Sequence, residues 1–166
     1  MQKNSGKTKS VFFYTMKSVH IGIIEEHNTI VGLFFGRDND IWRADCTKAE
    51  TPLIKKAAVQ IEEWLAGKRK QFSLPLALHG TEFQIDVWKA LQSIPHGETR
   101  SYKEIAGLIG RPKAARAVGL ANNRNPIALI VPCHRVIGHN GDLVGFGGGL
   151  PLKRYLLDLE QQYSNL

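Results

Sequence analysis

Along the 166 residues the period of the apolar pattern changes once, and this change limits the fold more than any single residue does. Val19, Ile21 and Ile23 alternate with His20 and Gly22, the period of two expected of a strand with one buried face. EEHNT then reads as a turn and IVGLFFG as a more buried strand, so residues 11–36 favour strands. From Thr51 the spacing becomes helical. Thr51-Pro52 sets a hydroxyl cap before a proline in the first turn, and Gly67 is a stop signal. Between them Ile54, Ala57, Ala58, Ile61, Trp64 and Leu65 make one apolar stripe. Strands grouped ahead of helices predict an α+β class.

The stretch GKRKQFSLPLALHGT, charged and then proline-containing, fits a linker near residues 68–80. The chain is therefore expected to divide into a strand-rich N-terminal α/β domain, 1–76, with a loose polar tail over residues 1–10, and a mostly helical domain, 77–166. In the second part Ile85, Trp88 and Leu91 mark a helix ending before Pro95-His96-Gly97. Ser101-Tyr102-Lys103-Glu104 is a capping-box pattern, followed at helical spacing by Ile105, Leu108 and Ile109, with Gly110 closing the helix. Pro112 is expected to open another helix through about Asn123. A last helix carries Leu152, Tyr155, Leu156, Leu159 and Tyr163 on one face. The pair joined at Gly110-Arg111 fits a helix-turn-helix.

Charge is concentrated near that pair. Arg100, Lys103, Arg111, Lys113, Arg116, Arg124 and Arg135 face only Glu104 in the segment, which thus supplies most of the net charge of +7. At helical spacing Ala114, Ala117, Val118 and Ala121 cluster on one side, and Lys113, Arg116, Leu120 and Asn123 on the other. Ala115 and Gly119 would let the backbone come close to a groove. Such a face suits DNA; it equally suits a solvated face of a basic protein. No run reaches transmembrane length, the N-terminus lacks a secretory apolar region, and Cys46 and Cys133 do not make a disulfide framework. The expectation is a soluble cytoplasmic protein with no membrane partner. No metal-ligand spacing is present, and neither a metal nor a cofactor is expected.

IVPCHRVI places Cys133 after a proline and beside His134 and Arg135, at the end of the apolar run IALIV. Nearby cations lower a thiol's pKa and expose a nucleophile. A packed structural cysteine fits the same residues. In the last helix Glu160 lies about 40° from Leu156, at the edge of the buried stripe, where a carboxylate needs a partner. It could orient a histidine that serves the thiol, or pair with a nearby lysine or arginine. Tyr102, just inside its helix, could be a core aromatic or face a ligand. Asn125-Pro126 fits an Asx turn, and its amide could also fix Cys133 relative to Arg116. GDLVGFGGGL lacks the ending of a P-loop and does not fit G-x-G-x-x-G; it suits a flexible turn or a close backbone approach to a flat ligand. A DNA-binding module in which PCHR is only structural, and a cysteine hydrolase that turns over, are the competing readings.

FQIDVWKAL, IPHGETRSYKEIA, PKAARAVGLANNRNPIALIVPCHRVIG and LKRYLLDLE together resemble the O6-alkylguanine-DNA alkyltransferases, over about residues 80–160. The resemblance implies a ribonuclease H-like N-terminal domain and direct, single-use transfer of an alkyl group from O6-alkylguanine, and from O4-alkylthymine, in double-stranded DNA. The protein would act as a monomer, with the base flipped out from the minor-groove side. By matched motif Cys133 is the acceptor, and His134, a water and Glu160 relay its proton. Tyr102 turns the 3′ phosphate and donates to the leaving guanine, and Asn125 is a hinge. Arg116 fills the vacated stack, with Lys113, Ala115, Asn123 and Arg124 on the DNA side. Val136, Phe146, Gly147 and Gly148 form the base pocket. Phe146 and Gly147 stand where some relatives carry tyrosine and serine, which removes side-chain hydroxyl contacts there.

Overall fold

The computed structural model describes residues 8–37 and 45–166. Strands β1 (Lys9–Met16), β2 (Val19–Glu26) and β3 (Thr29–Phe35) form an antiparallel meander. β4 (Cys46–Lys48) joins parallel to β1, giving the order β3-β2-β1-β4. Both hairpin turns place two residues at positive φ, Lys17 and Ser18 at 47° and 67°, His27 and Asn28 at 49° and 59°. That is the mirror-image turn whose twist matches the strands it joins.

Helix α1 (Pro52–Leu65) starts where the hydroxyl cap predicts, with Thr51 Oγ1 accepting from the Ile54 N–H. Its stripe of Ile54, Ala57, Ile61 and Trp64 is closed to solvent and shares a core with Ile21, Ile23, Ile30 and Leu33 of the sheet. Each large apolar side chain buried there contributes roughly 1.5–3 kcal/mol. Gly67 follows at φ 74°, and a Cβ on it would lie 2.5 Å from the Tyr163 ring, so both conformation and space require glycine.

Residues 66–81 connect the two parts but are pinned rather than loose. Gln60 brackets Ser73 with two hydrogen bonds, and the open edge of β3 is satisfied by Ile30 N–H to Pro75 O and Ala77 N–H to Ile30 O. Helix α2 (Glu82–Gln92) opens with a capping box between Thr81 and Gln84 that the sequence pattern had not singled out. The short strand β5 (Arg100–Ser101) leads into α3 (Tyr102–Leu108), whose Ser101–Glu104 capping box is as predicted. Helix α4 (Ala115–Asn123) packs on α2 and α3, fastened by Trp88 Nε1 donating to Ala121 O at 2.8 Å. A 3₁₀ turn at Cys133–Arg135 runs into β6 (Val136–Ile137), which pairs with β5, and α5 (Leu150–Tyr163) closes the chain. This is a mixed α/β architecture in which one buried apolar cluster contains residues of both halves. No helix among the described residues is long and apolar enough to cross a membrane.

Several expectations are corrected. Of the expected tail, residues 1–7 lie outside the described residues, whereas Lys9 and Ser10 already belong to β1, paired with Glu26 and Glu25. The fourth helix begins at Ala115 and not at Pro112. Residues 111–114 form a turn closed by Ala114 N–H to Arg111 O, and no side chain there accepts from the first helical N–H groups. Ala117 is exposed; the buried face is Val118, Ala121 and Asn122. Leu108 and Tyr155 are exposed because their helices are covered on fewer sides than a full apolar stripe would need. IALIV is not a strand. Only Ile127 bridges to Leu33, and the chain then coils through Leu129 at φ 68°.

Candidate active site around Cys133

That coil places the sulfur. Asn125 makes the Asx turn, its Oδ1 accepting from the Ile127 N–H, while its Nδ2 donates to Val131 O at 2.8 Å. Asn125 thus shapes the turn and ties the end of α4 to the approach to Cys133. Leu129, a non-glycine residue at positive φ, marks a strained backbone beside the thiol. Cys133 begins the 3₁₀ turn and is 5% exposed. Burial pushes its thiol pKa up. The Asn125 amide, the positive charge of Lys153 and the backbone N–H groups of Cys133 and Leu129 act in the opposite direction. The resting group is thus a thiol surrounded by donors that favour its anion.

His134 and Arg135 follow in the same turn, so they are not thrown to opposite faces as on a strand. Both reach Glu160 of α5. His134 Nε2 lies 2.7 Å from Glu160 Oε1, Arg135 contacts the carboxylate through Nε and through Nη2 at 2.7 Å, and Gly97 N–H donates to Oε2 at 2.9 Å. The remaining Arg135 Nη1 donates to Ile94 O. Burial alone would raise the Glu160 carboxyl, but His134 and Arg135 outweigh it and hold it down to about 2. Burial lowers the His134 imidazole, against the pull of Glu160, so the ring is neutral at rest. With its Nε2 hydrogen directed at Glu160, Nδ1 carries a lone pair, and it is buried with no hydrogen-bond partner among the described residues. Trp64 of α1 meets the His134 ring edge-on at 6.0 Å and fixes its plane.

Two contributors were not singled out in the sequence. Lys153 is fully buried, donating from Nζ to Val136 O at 2.6 Å and to Val144 O at 3.1 Å; burial lowers its pKa to about 8, while a thiolate at Cys133 favours its cation. Its spacing from Leu156 and Glu160 puts it on the buried stripe of α5, and that was the available signal. Asn122 is buried on α4 and donates to Cys133 O at 3.3 Å. Tyr102 is half-buried and donates to the same Val144 carbonyl at 2.9 Å; burial, and then a thiolate at Cys133, raises its phenol pKa, so it stays a donor.

A cavity of about 40 Å³ opens at the sulfur between Asn122, Asn125, Phe146, Gly147, Gly148 and Phe35. Of the four residues the motif implies for a base pocket, Phe146, Gly147 and Gly148 line this cavity. Val136 does not line that cavity; it is wholly buried in β6 and contributes a carbonyl to Lys153. Phe35, from the sheet, was not anticipated. Lys113, Arg116, Asn123 and Arg124 are exposed along α4 and its flanks, Ala115 is half-buried, and Gly119 faces the Tyr102 ring.

With this geometry in hand, comparison with known proteins is specific. The profile of the 6-O-methylguanine DNA methyltransferase DNA-binding domain matches residues 82–162. The chain is 45% identical over 157 residues to the constitutive methylated-DNA–protein-cysteine methyltransferase of Bacillus subtilis, covering 90% of this chain and 95% of that one. It is 61% identical over 108 residues to the Methanosarcina barkeri methylated-DNA–protein-cysteine methyltransferase, covering 65% and 68%. The crystal structure of Mycobacterium tuberculosis OGT in complex with DNA superposes with a TM-score of 0.85 at 44% identity, covering 93% of this chain and 94% of that one. The chain belongs to the methylated-DNA–protein-cysteine methyltransferase family.

Proposed function

We propose that the protein repairs DNA by moving the alkyl group of O6-alkylguanine, and of O4-alkylthymine, onto Cys133 in one irreversible step. The observation that carries this reading is a thiol set among hydrogen-bond donors, followed in the same turn by a histidine whose Nε2 is fixed by a buried carboxylate. A base extruded from the duplex would enter from the side of α4, at a cost of a few kcal/mol for unstacking. Arg116 would fill the gap, with Lys113, Asn123 and Arg124 on phosphates or the groove, and Ala115 allowing close approach. In this reading α3 and α4 act as a helix-turn-helix, the N-terminal sheet is ribonuclease H-like, the two domains divide at 76/77, and the protein works as a cytoplasmic monomer.

The chemistry is a displacement. The thiol proton passes through a water to His134 Nδ1, and the imidazolium is held by ionised Glu160. Glu160 orients and balances charge; Arg135 keeps it from taking the proton itself. The sulfur forms a bond to the alkyl carbon as the bond from that carbon to O6 breaks. The electron pair stays on the guanine, which takes a proton from Tyr102. Lys153 and the Asn125 amide lower the cost of the transient thiolate. A thioether is not hydrolysed under these conditions, so each molecule acts once.

The test is peptide mass analysis after reaction with duplex DNA carrying O6-methylguanine. One added CH₂ is expected on the Cys133 peptide and none on the Cys46 peptide. Repaired DNA with Cys133 unmodified, or several lesions cleared per protein, would overturn the reading.

A further inference from the structure

The cavity at Cys133 is far smaller than the roughly 300 Å³ at which small-ligand pockets begin, and one of its walls is not rigid backbone but the ring of Phe35. Phe35 also lines an open groove of about 500 Å³, bounded further by Val19 and His20 of β2, Ser18, Gly36, Arg37 and Leu152. Phe35, Gly147 and Gly148 line both spaces, so the cavity and the groove share one aromatic side chain and a stretch of glycine backbone as walls.

Phe35 is placed there by its strand. Leu33 N–H donates to Pro126 O and Leu33 O accepts from the Ala128 N–H, docking the end of β3 against the coil that carries Cys133. Two residues on, Phe35 points to the same side as Leu33, and its ring meets Phe146 at 5.6 Å and a 48° tilt. The ring is held by packing alone, so a rotamer change moves it without breaking a hydrogen bond. The opposite wall has no room for a side chain at Gly148, where a Cβ would come within 2.6 Å of Leu152 and 3.0 Å of Phe35. At Gly147 a Cβ would meet nothing within 4 Å, so that wall is not crowded.

We infer that Phe35 is a movable partition governing substituent size, and that the groove behind it, between β2, Gly147 and Leu152, receives the outer part of a large O6 substituent. This rests on the alkyl-transfer reading above. The carbon attacked must sit at the sulfur, so whatever lies beyond it must leave the small cavity. The groove is mixed in character: Val19, Leu152 and the Phe35 ring offer apolar surface to an aryl group, beside the polar Ser18, His20 and Arg37. A methyl group needs no passage and is taken with Phe35 in place. The N-terminal sheet thereby contributes a specificity residue to a reaction whose nucleophile lies in the other half of the chain.

Second-order rate constants would be measured with duplex DNA bearing O6-methylguanine and with two free bases, O6-benzylguanine and O6-(4-phenylbenzyl)guanine. Phe35→Ala should raise the ratio of the benzyl rate to the methyl rate by about tenfold, the scale on which a few atoms in an apolar pocket discriminate. His20→Trp, a change on the groove wall outside the cavity, should lower the ratio of the phenylbenzyl rate to the methyl rate by a similar factor. It covers the case in which loss of the Phe35 ring disturbs folding. If His20→Trp leaves that ratio unchanged, the groove is not the path, and if Phe35→Ala folds and leaves its own ratio unchanged, Phe35 is not the partition; either result overturns the inference. Absence of methyl transfer in the unaltered protein would instead sink the alkyl-transfer reading, so the two failures are distinguishable.

Discussion

His134 and Glu160 share a 2.7 Å hydrogen bond with both side chains closed to solvent, and Arg135 from the same turn grips the same carboxylate. A carboxylate matched by a permanent guanidinium is a poor proton acceptor and a good counter-ion. Replacing it leaves Arg135 buried without its charge partner. Glu160→Gln should cost about 3–5 kcal/mol of stability by denaturant titration. Because imidazolium formation loses its balancing charge, the alkylation rate should rise only at higher pH than in the unaltered protein. An unchanged pH profile would remove Glu160 from the proton path.

The same carboxyl sets an acid limit. Its folded pKa of about 2 lies below the ordinary 4.5. A depressed carboxyl contributes its full stability above the unfolded value and loses it as pH falls through the folded one. Melting temperature should therefore fall as pH drops from about 4.5 toward about 2, and Glu160→Gln, already lacking this contribution, should show a shallower decline over that window. Parallel curves would show that other carboxyls set the limit.

Lys153 carries a buried positive charge that favours the Cys133 thiolate. Lys153→Met keeps the length and removes the charge. The pH–rate curve should move upward by about one unit, equal to tenfold less thiolate at a fixed pH below it. Leaving Val136 O and Val144 O without this donor should also cost about 1–3 kcal/mol. A loss of stability with no movement of the curve would make Lys153 a loop clamp only.

Arg116 projects from α4 into solvent, and no contact within the protein is needed to explain it. If its guanidinium replaces an extruded base in the stack, the side chain matters only when a duplex must be opened. Arg116→Ala should then lower the rate on duplex O6-methylguanine by about tenfold or more relative to the free base. Equal losses on both substrates would remove the stack-filling role.

The parts legible in the sequence were those governed by local chemistry. Thr51 and Ser101 cap their helices because a hydroxyl before an apolar stripe satisfies orphan N–H groups whatever the tertiary setting. Glu160 was recognisable as buried because its helical phase places it beside Leu156. Lys153 obeys the same phase, yet a lysine on a buried stripe reads as solvated until the carbonyls of Val136 and Val144 are seen around it. Phe35 could not be found at all, since its place in the site depends on β3 docking against residues 126–128, about ninety residues on. The path of IALIV was not legible, because an apolar run has the same composition whether it pairs in a sheet or coils behind a nucleophile.

Asn125 gives a substitution that separates shape from charge. Its Oδ1 holds the Ile127 N–H and its Nδ2 donates to Val131 O, and its amide also lowers the thiol pKa. Aspartate keeps the first acceptor and so the Asx turn, but it turns the donor into an oxygen facing Val131 O and sets a negative charge near the sulfur. Asn125→Asp should therefore retain the fold, with a stability loss of about 1–3 kcal/mol from two acceptors left opposed. It should raise the thiol pKa and slow alkylation most strongly below that value. Asn125→Ala loses the turn acceptor as well, and should be the less stable of the two yet the faster at neutral pH, because it adds no negative charge. The measurement is the rate of thiol modification against pH for both variants beside their denaturation midpoints. If Asn125→Asp reacts as fast as Asn125→Ala, the amide acts on the backbone alone and has no part in tuning Cys133.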